Sequence, residues 1–231
     1  LAQQYGVSAE DLLVALNDEK ANAREQGFGN ARNRYNQDRT SSNTNPVPNN
    51  VTGNPEITFT PTSQHSLTLN IQPGEKNEAC AFVVRLEMIE AMTGTSQNAQ
   101  SVYNSANSSG IVGDSGSVNN SNELARLVGA PNLQFTEDAT RVDSNSSNTI
   151  RNLLDSGTPI DLYLTGHHVM IHGYETNDQG QVTNFLVHDP GYNGSTHLDP
   201  TTMMPYRILQ NGDRENNRYR NGLQFRYFYR K

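Results

Sequence analysis

The apolar positions of this chain change their period along its length. Residues 79–93, ACAFVVRLEMIEAMT, repeat with the helical period, and Phe82, Val83, Leu86, Met88 and Ile89 fall on one broad stripe. That stripe predicts a buried helix ended by Gly94. Shorter helices are expected at 122–129 (NELARLVG) and 146–157 (SSNTIRNLLDSG). Beyond them TPIDLYLTG, GHHVMIHGYE and VTNFLVHDPG read as three consecutive strands of one antiparallel sheet, with Asn177–Gly180 as the tip of the second hairpin. Further strands are expected near Met203–Leu209 and Leu223–Tyr229. A buried helix followed by a sheet predicts an α+β domain with the helix packed on a sheet face.

The remaining stretches are polar. Only 33% of the 231 residues are apolar and the mean hydropathy is −0.73, a deficit concentrated in segments rich in Asn, Ser, Gly and Thr. Residues 3–17 read as two short helices around a Gly-Val-Ser turn, with Ser8 as N-cap and Asp11 in the first turn of the second. Residues 21–54 lack apolar periodicity and read as a polar linker or arm. Glu56–Phe59 and Ser66–Ile71 alternate, which suggests a hairpin across PTSQH. For Ser96–Ser121 the pattern does not choose between a disordered loop and a lid. The expected organisation is a helical remnant over 1–20, a linker over 21–54 and a folded domain over 55–231.

Charge and cysteine count narrow the function. A net charge of −7 at pH 7 makes nucleic acid an improbable partner, because phosphate-binding surfaces are basic. Arg207, Arg214, Arg218, Arg220 and Arg226 are expected on a solvated edge of a terminal sheet. No apolar run approaches the roughly 20 residues of a membrane-spanning helix, and the opening LAQQYG has no signal-peptide pattern. The start at Leu rather than Met suggests a piece of a longer polypeptide. One cysteine, Cys80, excludes an internal disulfide and a multi-cysteine zinc site, leaving either inert packing or a nucleophile.

Cys80 stands at the start of the long helix, where the field of the helix N-terminus favours a thiolate; a small core residue is the other reading. Strand alternation puts His167, Val169 and Ile171 on one side and His168, Met170 and His172 on the other, so one of the adjacent histidines should face the helix. Asp189 ends the next strand before Pro-Gly. A carboxylate there can orient an imidazole, and it can equally open a turn.

A Cys at a helix start, a strand of form G-H-x-V-x-x-x-G-Y and a strand ending D-P-G together resemble the papain-like cysteine peptidases, most closely the C39-type bacterial peptidases, over roughly Gln72 to Gly191. The resemblance implies a papain-like fold and a cysteine peptidase acting on protein or peptide without metal or organic cofactor. Cys80 is then the nucleophile and Asp189 the orienting carboxylate. The family's register, six residues before Gly-Tyr, points to His167 (173 − 6) over His168 as the base. The family's oxyanion-hole glutamine falls about six residues before the cysteine, at Gly74 here. Gln72 is therefore the candidate, with Asn77 a second possible donor beside the Cys80 N–H. A deamidase, a transglutaminase-like acyltransferase, a cell-wall or leader-peptide peptidase would use the same triad. A binding module on a degenerate peptidase fold is disfavoured by the retained Cys, His and Asp. Residues 3–17 resemble the helical half of a LysM carbohydrate-binding module. With the Asn/Ser-rich arm, the whole resembles a bacterial polymorphic-toxin tip, delivered by a secretion system to act in the target cytoplasm and blocked by a cognate immunity protein.

Overall fold

The helical stripe folds as α1, Cys80–Thr93, in a computed structural model that describes residues 56–136, 138–143, 145–191, 194–205 and 223–231. The expectations for residues 1–54, for the strand beyond Pro205 and for Arg207, Arg214, Arg218 and Arg220 lie outside the described residues. Gly94 ends α1 in the left-handed conformation, φ 69°, with its N–H on the Glu90 carbonyl. The helix is buried almost all round. Beyond the apolar stripe it buries Arg85, Glu87 and Glu90, each with a polar partner: Asp161, His188 and the Gln97 N–H.

Residues 96–121, left open by their polarity, fold: α2, Ala99–Ser108, is N-capped by Asn98, and the loop after it holds a bridge between Val112 and Val118. α3, Ser121–Leu127, is capped by Asn120, whose side chain accepts the Asn122 and Glu123 N–H groups. α4 spans Ser146–Asp155.

The strands are β1 Leu133–Phe135, β2 Thr140–Arg141, β3 Ile160–Tyr163, β4 His168–Thr176, β5 Val182–Asp189, β6 Gly194–Asp199, β7 Met204–Pro205 and β8 Gln224–Arg230. They form one antiparallel sheet in the order β1-β8-β3-β4-β5-β6-β7, with β2 also on β8. Alternation along β4 sends Met170 into an apolar cluster with α1, α2 and α3, and Val169 and Ile171 into a second cluster with α4. The sheet is thus covered on both faces, and the papain-like α+β arrangement holds, with α1 on one face.

The hairpin expected from Glu56–Phe59 and Ser66–Ile71 does not form. Residues 56–71 run without a strand ladder and contain one 3-10 turn, Gln64–Ser66; Ile57 N–H meets the His172 carbonyl at 2.9 Å. Their alternation reflects one-sided docking: Ile57 and Leu67 are buried, and the Phe59 ring lies 5.0 Å from that of His172. Arg226 also departs from expectation. It sits on β8 between β3 and β1, half-buried, with Nε sealed from solvent.

Candidate active site

The turn into α1 is held from two sides. Asn77 Oδ1 accepts the Ala79 N–H at 3.0 Å, and the Glu78 N–H donates to the Ser115 carbonyl at 2.8 Å. Helix geometry leaves the first N–H groups of α1, including that of Cys80, without intrahelical acceptors, at the positive end of the helix dipole. Cys80 is buried there, its Sγ 3.8 Å from the Glu78 carbonyl oxygen.

His167 precedes β4. It closes the loop after β3, where the Leu164 N–H bonds the His167 carbonyl at 2.7 Å, so strand alternation does not govern its side chain. Its Nε2 lies 2.7 Å from Asp189 Oδ1, which leaves Nδ1 for the thiol. Burial alone would lower the His167 pKa, but the Asp189 hydrogen bond and then Cys80 outweigh it and raise it to about 9. Asp189 is the last residue of β5, almost fully buried, and its Oδ1 also accepts the Gly191 N–H at 2.9 Å. His168, by contrast, faces the α1 side of the sheet, where its Nδ1 lies 2.6 Å from Asp161 Oδ1.

Gln72 is exposed in a turn that closes on itself: its N–H donates to Glu75 Oε2 at 2.9 Å and its carbonyl accepts the Glu75 N–H at 3.0 Å. Asn77 is committed at both ends of its amide, since Nδ2 donates to the Gln64 carbonyl at 3.4 Å. Sequence reasoning missed Gln64. Its N–H donates to the Pro190 carbonyl at 3.0 Å, so its backbone ties the turn ahead of Cys80 to the loop after Asp189. Its side chain is buried, Oε1 has no partner, and no described residue engages its Nε2. Counting back from the cysteine could not find it, because it stands sixteen positions ahead (80 − 64).

Among the described residues no cluster of three or more His, Cys, Asp or Glu could hold a metal ion, and no helix is long and apolar enough to cross a membrane. A family model described as the Peptidase_C39 like family matches residues 56–211. None of the curated proteins matches the chain.

Proposed function

The chain belongs to the Peptidase_C39 like family and is a cysteine peptidase, a hydrolase of proteins, and from that premise we propose that Cys80, His167 and Asp189 form its catalytic triad. The observation that carries this is the His167–Asp189 bond of 2.7 Å beside Cys80 at the head of α1. Cys80 Sγ attacks the scissile carbonyl carbon while His167 holds the thiol proton, and the carbonyl oxygen becomes an oxyanion facing the Cys80 N–H and the Gln64 side-chain amide. The C–N bond breaks as His167 protonates the leaving amine, leaving a thioester on Cys80. Water then attacks the thioester, losing a proton to His167, and the acid and free thiol are released. Gln64 takes the oxyanion role expected of Gln72, because its backbone is tied to both walls of the site.

Iodoacetamide alkylation of Cys80 from pH 5 to 9 tests the triad. Rapid reaction below pH 7 is expected in the wild type and in His168→Ala, and its loss in His167→Ala. Equal profiles in all three proteins would remove the thiolate–imidazolium pair.

The LysM-like residues 3–17 and the polar arm support the reading of an antagonistic effector, acting in the cytoplasm of a target cell and held by a cognate immunity protein. Expression in a bacterial cytoplasm should arrest growth with the wild type and not with Cys80→Ala. Unimpaired growth with both would sink this role and leave the peptidase assignment intact.

A further inference from the structure

On the sheet face that carries α1, three strands line a pocket of about 240 Å³ with Arg85, Asp161, Tyr163, His168, Gln224 and Arg226. Pairing of Tyr163 with both His168 and Gln224 makes one row of this surface, and pairing of Asp161 with Arg226 makes the next. The first row is the last before β3 gives way to the His167 loop, so the pocket lies at the strand ends nearest the candidate site.

The charges in this pocket do not balance. Among the described residues Asp161 is its sole carboxylate, and it is already engaged by Arg85 Nε at 3.3 Å and His168 Nδ1 at 2.6 Å. Burial would raise the Asp161 pKa, but the neighbouring His168 and Arg85 outweigh that and hold its carboxyl below the usual range. Arg226 stands across the strand pair from Asp161, yet it makes no ion pair among the described residues and its Nε is buried without an acceptor. Among the described residues, two guanidiniums against one carboxylate leave one positive charge in excess, His168 uncounted. A sealed, unmatched guanidinium N–H is costly unless an acceptor arrives. In a chain of net charge −7 the long-range field does not gather anions, so the excess acts locally.

We propose that this pocket is a specificity subsite that binds a carboxylate of the peptide substrate, an inference that rests on the triad read above. One excess charge suits a monoanion better than a phosphate dianion, and the guanidinium fork of Arg226 matches two carboxylate oxygens. At about 30 Å³ per water, the pocket has room for about eight waters or for an acidic side chain with a few waters around it.

The pocket is tested first without cleavage, by titrating ring-labelled full-length protein with N-acetyl-glutamate amide and N-acetyl-glutamine amide while following the histidine resonances. The glutamate probe should shift His168 and bind about tenfold or more tightly than the glutamine probe. Arg226→Gln should abolish that difference, and Arg226→Lys should restore part of it, with circular dichroism confirming that both variants fold. N-acetyl-alanine, whose carboxylate is terminal, separates the two carboxylate sources: tighter binding of this probe assigns the pocket to a substrate C-terminus. Equal binding of the glutamate and glutamine probes, or a difference that survives Arg226→Gln, overturns the pocket. Cleavage of a peptide library with blocked termini is the second arm. Asp or Glu should be favoured over Asn or Gln by about tenfold at one position, and the preference should vanish in Arg226→Gln. Cleavage without that preference overturns the subsite and leaves the triad standing. Absence of any cleavage by the wild type counts against the triad, and the probe titration still decides the pocket.

Discussion

Asp189 Oδ1 accepts from two partners at once, the Gly191 N–H at 2.9 Å and His167 at 2.7 Å. The Asp-Pro-Gly motif was legible both as a turn opener and as an orienting carboxylate, and one oxygen does both. Asp189→Asn removes the charge, so the His167 titration should fall from about 9 toward its ordinary value, read by NMR of the imidazole. On the proposed mechanism kcat/KM should drop about 10²-fold or more. An unmoved His167 titration would mean that Asp189 does not set its charge. Gln64 was not legible, because the residues between it and Cys80 loop out instead of following the interval assumed from the family. Gln64→Ala is expected to lower kcat by about 10²–10³, and Gln72→Ala, on an exposed turn, to leave it within a few-fold. The reverse result would return the oxyanion role to Gln72.

At the level of elements, α1 was readable because its apolar repeat is dense and its glycine stop is unambiguous. The sequence pattern did not reveal that Arg85, Glu87 and Glu90 go inside with it; the partners of the first two come from β3 and β5, far along the chain, and that of Glu90 from the segment just before α2. α2 escaped notice because it buries only Tyr103 and Ala106, too thin a stripe to stand out among Asn and Ser. The loop after α2 does more than connect. Gly116, at φ 91°, packs so closely on Ala79 that a Cβ there would lie 2.6 Å from the Ala79 Cα. Gly116→Ala therefore combines a disfavoured backbone with a clash against the residue preceding Cys80. It should cost roughly 1–3 kcal/mol in urea denaturation and reduce kcat/KM as well. A neutral result on both measurements would show that this loop does not brace the head of α1.

For the whole molecule, the buried His172 and Glu87 and the half-buried His167 carry the largest shifts among the described residues and shape the response to pH. Burial, and then the charge of His188, lower His172 to about 4, so the unfolded chain holds the extra proton between pH 4 and 6.5 and stability rises with pH there. Burial raises Glu87 to about 7 against the lowering effect of His188, so the folded state holds the extra proton from 4.5 to 7 and stability falls. The two slopes oppose each other from about pH 4.5 to 6.5, and Glu90, also raised by burial, adds a falling contribution there. His167, raised to about 9, contributes stability that is complete below 6.5 and lost as pH climbs through 9. At about 1.4 kcal/mol per unit that loss is at most about 3.5 kcal/mol. Urea denaturation should thus show a decline from mild acid toward pH 9, its alkaline part flattened in His167→Ala; stability rising from pH 7 to 9 would contradict this assignment.

The sheet also has an order of assembly written into it. β8, residues 224–230, lies between β3 on one side and β1 and β2 on the other, although those partners are made long before it. During synthesis, β3 therefore waits with an open edge while the nascent chain is still on the ribosome. The strand that carries Asp161, and the loop to His167 beyond it, gain their full support only once residues 224–230 emerge. A peptidase domain so built cannot be complete until residues 224–230 have been made, and a nascent chain stopped short of them lacks the strand that closes the open edge of β3.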